Sequence, residues 1–322
     1  MQLSATSGVI RLLLGNPVVF LQINCGCVGL PDCGSTYTSE HFVVALHQTL
    51  LTHTSSELGI SESLHFKLLL PDDGEANLHT YAKDEKYQAG PPFLGLPNPP
   101  YYRELAQRIH AISESRSSKK SLLIQEKLSI LVAAESLGFE ESLSPAIDLL
   151  PDSTNMKPRS STMRDWLQQA GDFWVLRMLG MRQTTGTDPR GLLPPSKSDL
   201  LASAATIINK GKNPKLSVAA KARAKHAHRG DEQFFGVVKG SPEKQSSETQ
   251  AIVSSIVHNA AWINIHTFGG MNNQPVLEVR LENGYGARWT ADWTDQFRPV
   301  NIEMRGFLEP QMEDGHEKGW KH

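Results

Sequence analysis

Val276 to Trp289 reads VLEVRLENGYGARW. Leu277, Val279 and Leu281 alternate with Glu278, Arg280 and Glu282, the period-two pattern of a strand with one apolar and one polar face. Asn283-Gly284 follows, two residues that tolerate the positive φ of a tight turn, and Tyr285–Trp289 returns as the partner strand. The register decides what the polar face looks like. A two-residue loop sets Val279 opposite Arg288 and buries a guanidinium among apolar side chains, whereas a three-residue loop with a bulge sets Val279 opposite Trp289. The bulged form is preferred. It gathers Glu278, Arg280, Glu282 and Arg288 on the polar side, where Glu–Arg pairs offset like-charge repulsion.

Working outward, Thr249–Ile263 places Ile252, Val253, Ile256, Val257, Ala260 and Ala261 on one helical face, opened by Ser247 and Gln250 as a capping box. Trp262–Phe268 and Asn301–Leu308 supply further strands. Upstream, Tyr101–Ile112, Leu122–Leu137, Arg164–Met181 and Leu200–Ile208 carry apolar residues at helical spacing, and Thr162 with Asp165 reads as a cap for the third. Polar or Pro/Gly-rich breaks fall at Ala89–Pro100, Ser113–Ser121, Pro151–Thr162 and Gln183–Asp199. The expected fold is α+β. A largely helical N-terminal and middle region, 1–182 with a further division near 89–121, leads through a linker, 183–206, to a C-terminal helix-helix plus antiparallel-sheet domain, 207–322.

The chain has 322 residues, 39% hydrophobic and 20% charged, which excludes wholesale disorder, collagen and coiled coil. Its net charge of −2 supplies no whole-chain field to draw in nucleic acid or an anionic membrane. The apolar stretch from Val9 to Leu30 is interrupted by Arg11, Asn16, Pro17, Gln22 and Asn24, so no membrane span is expected. Three cysteines, Cys25, Cys27 and Cys33, suggest no disulfide framework and lack zinc-site spacing, so an intracellular, cytoplasmic or nuclear location is expected. The absence of Asp or Glu before Asp32 keeps mitochondrial import as the lesser alternative.

Charge is uneven along the chain. Between Asp199 and Asp231 there is no acidic residue, while Lys210, Lys212, Lys215, Lys221, Arg223, Lys225 and Arg229 are basic. On a helix starting near Ser217, Lys221 and Lys225 share a face that could hold an anion, although a solvated helix face is the commoner reading of such a run. His226 and His228 point roughly 200° apart on that helix and cannot chelate one ion together. The C-terminal stretch holds Glu309, Glu313, Asp314, His316, Glu317 and His322, a composition suited to acid–base work or to a divalent metal, although idle surface charge is the commoner reading of such a stretch. His266 alternates along its strand and is expected to face the same cleft as Arg280 and Arg288. GxSxG, Walker A and GxGxxG patterns are absent.

The runs Arg305–His322 (RGFLEPQMEDGHEKGWKH), Asn283–Trp289 (NGYGARW) and Lys225–Gly230 (KHAHRG) resemble a C-terminal segment shared by uncharacterised eukaryotic proteins of unknown function. That resemblance implies no activity, no cofactor and no site residues.

Three functional readings stand at this stage. The first is an intracellular binding or regulatory module that meets a protein or anionic ligand through the polar sheet face. The second is a metal-assisted hydrolase, with His266, Glu309 and His316 as catalytic candidates, Glu313, Asp314 and His316 as metal ligands, and Lys221, Lys225, Arg280 and Arg288 as the anion site. The third, not favoured, is nucleic-acid or phosphate binding through residues 210–229. Whether the chain is an enzyme, and with what cofactor, is left open.

Overall fold

A computed structural model describes residues 38–69, 95–116, 158–207 other than 183 and 185, 215–227, 234–267, 274–294 and 299–310, with the backbone of two paired strands at 8–12 and 19–23. The elements in chain order are β1 (Gly8–Leu12), β2 (Val19–Ile23), α1 (Ser39–Thr52), α2 (Ser55–Leu58), α3 (Glu62–Leu69), α4 (Tyr101–Arg116), α5 (Ser160–Met178), α6 (Lys197–Ala205), α7 (Val218–His226), α8 (Pro242–His258), β3 (Trp262–Thr267), β4 (Pro275–Arg280), β5 (Gly286–Asp292) and β6 (Val300–Leu308). The fold is α+β, as the sequence pattern indicates. The cysteine cluster, the Leu122–Leu137 helix, Lys210, Lys212, His228, Arg229 and the stretch holding Glu313, Asp314, His316, Glu317 and His322 lie outside the described residues.

β3 to β6 form an antiparallel sheet in sequence order. Its central hairpin has the three-residue loop, with Leu281 accepting from the Gly284 amide at 3.0 Å and donating to Tyr285 at 2.8 Å. Gly284 takes φ +83°, the left-handed position such a loop reserves for glycine. The register differs from the expected one: Val279 stands opposite Ala287, and neither Arg288 nor Trp289. A two-residue displacement keeps every side chain on its expected face, because the strand period is two.

The helices that pack on this sheet start at well-formed caps. Ser196, Ser217 and Ser241 each accept from the amide three residues on, and Pro242 sets the first turn of α8. α8 therefore begins at Pro242, ahead of the Ser247–Gln250 cap, and α5 begins at Ser160 with Arg159 as its cap residue in place of Thr162. In both cases the residues taken for caps lie inside a helix that the propensity of the preceding turn extends.

The buried apolar residues form a contiguous core that runs from Phe42 and Leu46 of α1 through Trp166 of α5 to Val253, Trp289 and Phe307. Gly95 donates to Ala260 and Leu96 to Val257, so the segment before α4 is fastened to the end of α8. Arg108 of α4 is buried beside that junction and donates to Gly95 and Met178 carbonyls at 3.2 Å. The 183–206 segment carries α6 and buries Leu192, Leu193, Leu200 and Ala204.

Candidate functional site on the polar sheet face

Alternation sorts the sheet residues onto two faces. Val279, Ala287 and Phe307 share a rung, and Phe307 meets Phe235 at 4.9 Å between ring centroids. The Phe235 carbonyl accepts from Arg223 Nε of α7 at 2.6 Å, so this is the helix-covered face. The neighbouring rung turns the other way. It holds Asn264 opposite Glu278, Glu278 opposite Arg288, and Arg288 opposite Gly306. His266 and Trp262 of β3, Arg280 of β4 and Thr290 of β5 fall on the same side by the period of two, and His266, Arg280 and Thr290 are buried there.

Arg288 is half-buried, and among the described residues its guanidinium has no hydrogen-bond or ion-pair partner. A bulge lies next to it: Arg288 pairs with Gly306 while Trp289 pairs with Met304, leaving Arg305 as the extra residue. Gly306 adopts φ +152°, and a Cβ built there would meet nothing within 4 Å among the described residues. Among the described residues no side chain fills the position beside Arg288.

His266 is buried at 6% exposure. Burial holds its imidazole below the ordinary histidine pKa, Glu278 acts against that shift, and Arg280 and Arg288 add to it. The four groups thus sit within electrostatic reach of one another. Glu278 is the link, one rung from His266 diagonally, opposite Arg288, and 3.5 Å from Arg280 Nε. Arg280 itself is committed. Its Nη1 donates to the Gly284 carbonyl at 2.7 Å and to the Glu309 carbonyl at 2.9 Å, which ties the hairpin loop to the end of β6. Gly286 opposite it is required, since a Cβ there would lie 2.2 Å from the Val279 carbonyl oxygen.

The other sequence candidates do not converge on this rung. Lys221 and Lys225 are exposed on α7, on the helix side of the sheet. Arg223 between them is buried and bonded to the Phe235 carbonyl and to Glu248 at 3.2 Å. The Glu309 carboxylate accepts from His226 Nδ1 at 2.6 Å, beside Phe235 and Phe307 of the helix-covered face. Among the described residues there is no group of three or more His, Cys, Asp or Glu side chains that could hold a metal ion. No helix among them is long and apolar enough to cross a membrane.

The sequence reading missed what closes the edge of β3. Arg182 donates to the Ile263 carbonyl at 2.7 Å and Asp188 to that of Ile265 at 2.8 Å, while Ile263 and Thr267 donate to Gly180 and Gly186 at 3.2 Å. Buried Asn264 is fixed from the same segment, accepting from the Thr187 hydroxyl at 2.9 Å and donating to Thr184 at 3.1 Å. Turn residues at 184–188 gave no strand pattern from which this pairing could be read.

A family model of the CdiA C-terminal tRNase toxin domain matches residues 204–309. No curated protein and no solved structure matches the chain. The family match overturns the resemblance to uncharacterised eukaryotic proteins, and with it the expectation of a domain of unknown function acting as a binding or regulatory module. Neither the metal-assisted hydrolase nor nucleic-acid or phosphate binding through residues 210–229 matches it well, though nucleic-acid action is the nearer of the two. The eukaryotic resemblance rested on three Gly-, His- and Trp-containing runs, one of them extending beyond residue 309, and such runs fix turns and termini more than chemistry.

Proposed function

We propose that residues 204–309 form a ribonuclease domain that cleaves tRNA on the polar face of the β3–β6 sheet, at Arg288. The matched family is named for a tRNase, and the matched residues include the whole rung of Asn264, Glu278, Arg288 and Gly306. The observation that carries the reading is Arg288, a half-buried cation with no partner among the described residues, opposite a carboxylate and in the field of a buried histidine. A half-buried guanidinium with no partner among the described residues is suited to a phosphodiester oxygen.

The chemistry needs few parts. The ribose 2′-oxygen attacks its neighbouring phosphorus, the bond from phosphorus to the 5′-oxygen breaks, and a cyclic phosphate and a 5′-hydroxyl result. One proton leaves the 2′-oxygen and one arrives on the 5′-oxygen. Neutral His266 accepts the first, Glu278 stabilises the imidazolium so formed, and that imidazolium carries the proton the leaving oxygen requires. Arg288 holds the phosphate and the charge that develops on it. Arg280 positions Glu278 and the hairpin, and is not itself available to substrate.

Incubating the full chain with tRNA and mapping the termini tests this reading. Cleavage leaving a cyclic phosphate, lost in Arg288→Ala and His266→Ala, is expected. Intact tRNA with the wild-type chain, or cleavage unaffected by both substitutions, overturns it.

A further inference from the structure

The strap of residues 180–188 that closes the β3 edge also grips a side chain of the polar rung. Asn264 is 3% exposed and stands on that rung opposite Glu278, with Arg288 one strand further. Thr184 and Thr187 meet it from the strap side. The Thr187 hydroxyl accepts from the Thr184 amide at 2.7 Å and donates to Asn264 Oδ1 at 2.9 Å, while Asn264 Nδ2 donates to the Thr184 hydroxyl at 3.1 Å. The two hydroxyl oxygens lie 3.4 Å apart, so they engage the carboxamide along the one edge that carries its oxygen and one amide hydrogen.

A primary amide has two hydrogens, and this arrangement uses one. The second points away from the strap, toward the β4 side of β3, because the strap takes the outer edge of that strand and β4 the inner one. It has no partner among the described residues. A buried donor left unmatched is costly, so its persistence calls for a function. Burial falls along the rung from Asn264, which is buried, to Glu278 and Arg288, which are half-buried. Glu278 leans along its own strand toward Arg280 Nε at 3.5 Å, which draws its charge off the line from Asn264 to Arg288. Two strand spacings, about 10 Å, separate the backbones at those two positions, a gap that the arginine side chain and one phosphate group together span.

We infer that Asn264 is a second phosphate-binding residue of the polar rung, whose remaining amide hydrogen donates to an oxygen of the phosphodiester held by Arg288, and that Thr184 and Thr187 are positioning residues that aim it. The inference rests on the ribonuclease reading for its substrate, but its physical content, an anion gripped between Arg288 and Asn264, can be measured without cleavage. A guanidinium and a fixed neutral donor hold one phosphate from two sides, which orients it as well as balancing its charge. Thr184 and Thr187 precede the matched stretch 204–309, so the upstream part of the chain contributes to the site.

NMR of the isotope-labelled full chain, titrated with inorganic phosphate, tests it. The two Asn264 side-chain amide hydrogens give separate resonances. The one not bonded to Thr184 is expected to shift saturably with phosphate, and Arg288→Ala should abolish that response by removing the cation that holds the anion. Thr187→Val keeps the side-chain volume and removes the hydroxyl. It should lower kcat for tRNA cleavage by at least about tenfold while KM, which draws on many other contacts, changes by less than about twofold. Thr187→Ser should restore most of the rate. A purely structural part for Thr187 would weaken folding without separating kcat from KM. If the wild-type chain cleaves tRNA while phosphate leaves both Asn264 resonances in place, or if Thr187→Val cleaves like wild type, the assignment is wrong and the ribonuclease reading stands. If the phosphate response appears and depends on Arg288 but tRNA stays intact, the ribonuclease reading falls and the anion site stands.

Discussion

Glu278 and Arg288 face each other directly across the β4–β5 ladder, on the side of the sheet turned away from the helices. They form no close ion pair, and Glu278 instead lies 3.5 Å from Arg280 Nε. A pair held opposite but unbonded leaves Arg288 free to meet an anion, which ties sheet register to chemistry. Removing the guanidinium should then act on catalysis and hardly on folding. Arg288→Ala is expected to lower tRNA cleavage by roughly 10²–10³-fold, with unfolding free energy within about 0.5 kcal/mol of wild type. Arg288→Lys should recover part of the loss, since a point charge replaces a fork. Cleavage rates alongside urea unfolding separate the two effects, and an active Arg288→Ala chain defeats the assignment.

The charges around His266 give it a titration that can be followed directly. Burial lowers its pKa, Glu278 raises it, and Arg280 and Arg288 lower it. In wild type the imidazole should titrate below the free-histidine value of about 6.5. Glu278→Gln removes the opposing carboxylate and should move the midpoint lower, while Arg288→Ala removes a cation and should move it higher. NMR titration of the ring carbons reads both shifts without any need for activity. Shifts in the same direction for the two variants would mean that His266 is not coupled to this rung.

Gly286 should tolerate no side chain. A Cβ there would sit 2.2 Å from the Val279 carbonyl oxygen and 2.9 Å from Arg280 Cγ, and a ladder carbonyl cannot retreat without breaking its pairing. Gly286→Ala is expected to cost about 3 kcal/mol or more, as strain propagates into a close-packed sheet. Gly306→Ala meets no atom of the described residues within 4 Å and should cost its backbone strain at φ +152°, about 1–3 kcal/mol. Thermal or urea melts of the two variants rank them, and an unaffected Gly286→Ala chain contradicts the close approach.

These relationships differ in how far they could be read from the residues alone. The alternation of Leu277, Val279 and Leu281 against Glu278, Arg280 and Glu282 assigns faces whatever the exact register, so placing Val279 opposite Trp289, two residues off, still put Glu278 and Arg288 on one side. The engagement of Arg280 is not written in that pattern. Its partners are the carbonyls of Gly284 and Glu309, and a backbone oxygen has no signature in sequence. Likewise, Lys221 and Lys225 look continuous with the arginines in charge, yet the crossing of α7 over the helix-covered face puts the sheet between them. The β3 edge partner comes from residues 180–188, where turns carry no period at all. The family match adds chemistry that neither pattern nor composition holds.

Acid sensitivity should originate in the helical region as well as in the sheet. His47 of α1 stacks on Tyr102 of α4 with ring centroids 4.6 Å apart, and burial pushes its pKa down to about 4. The folded chain thus keeps His47 neutral where the unfolded chain, with a value near 6.5, takes up a proton. Between those two values the unfolded state binds more protons, so stability is full above about pH 6.5 and is lost as pH falls toward about 4. The loss from this group is on the order of 3 kcal/mol at most. His266 adds a loss of the same sign, because its pKa is also lowered. His47→Phe keeps a ring for Tyr102 and removes the titration, so its stability should decline less than that of wild type between pH 7.5 and 4.5. Urea unfolding at the two pH values reads the difference, and equal declines would place the acid sensitivity elsewhere.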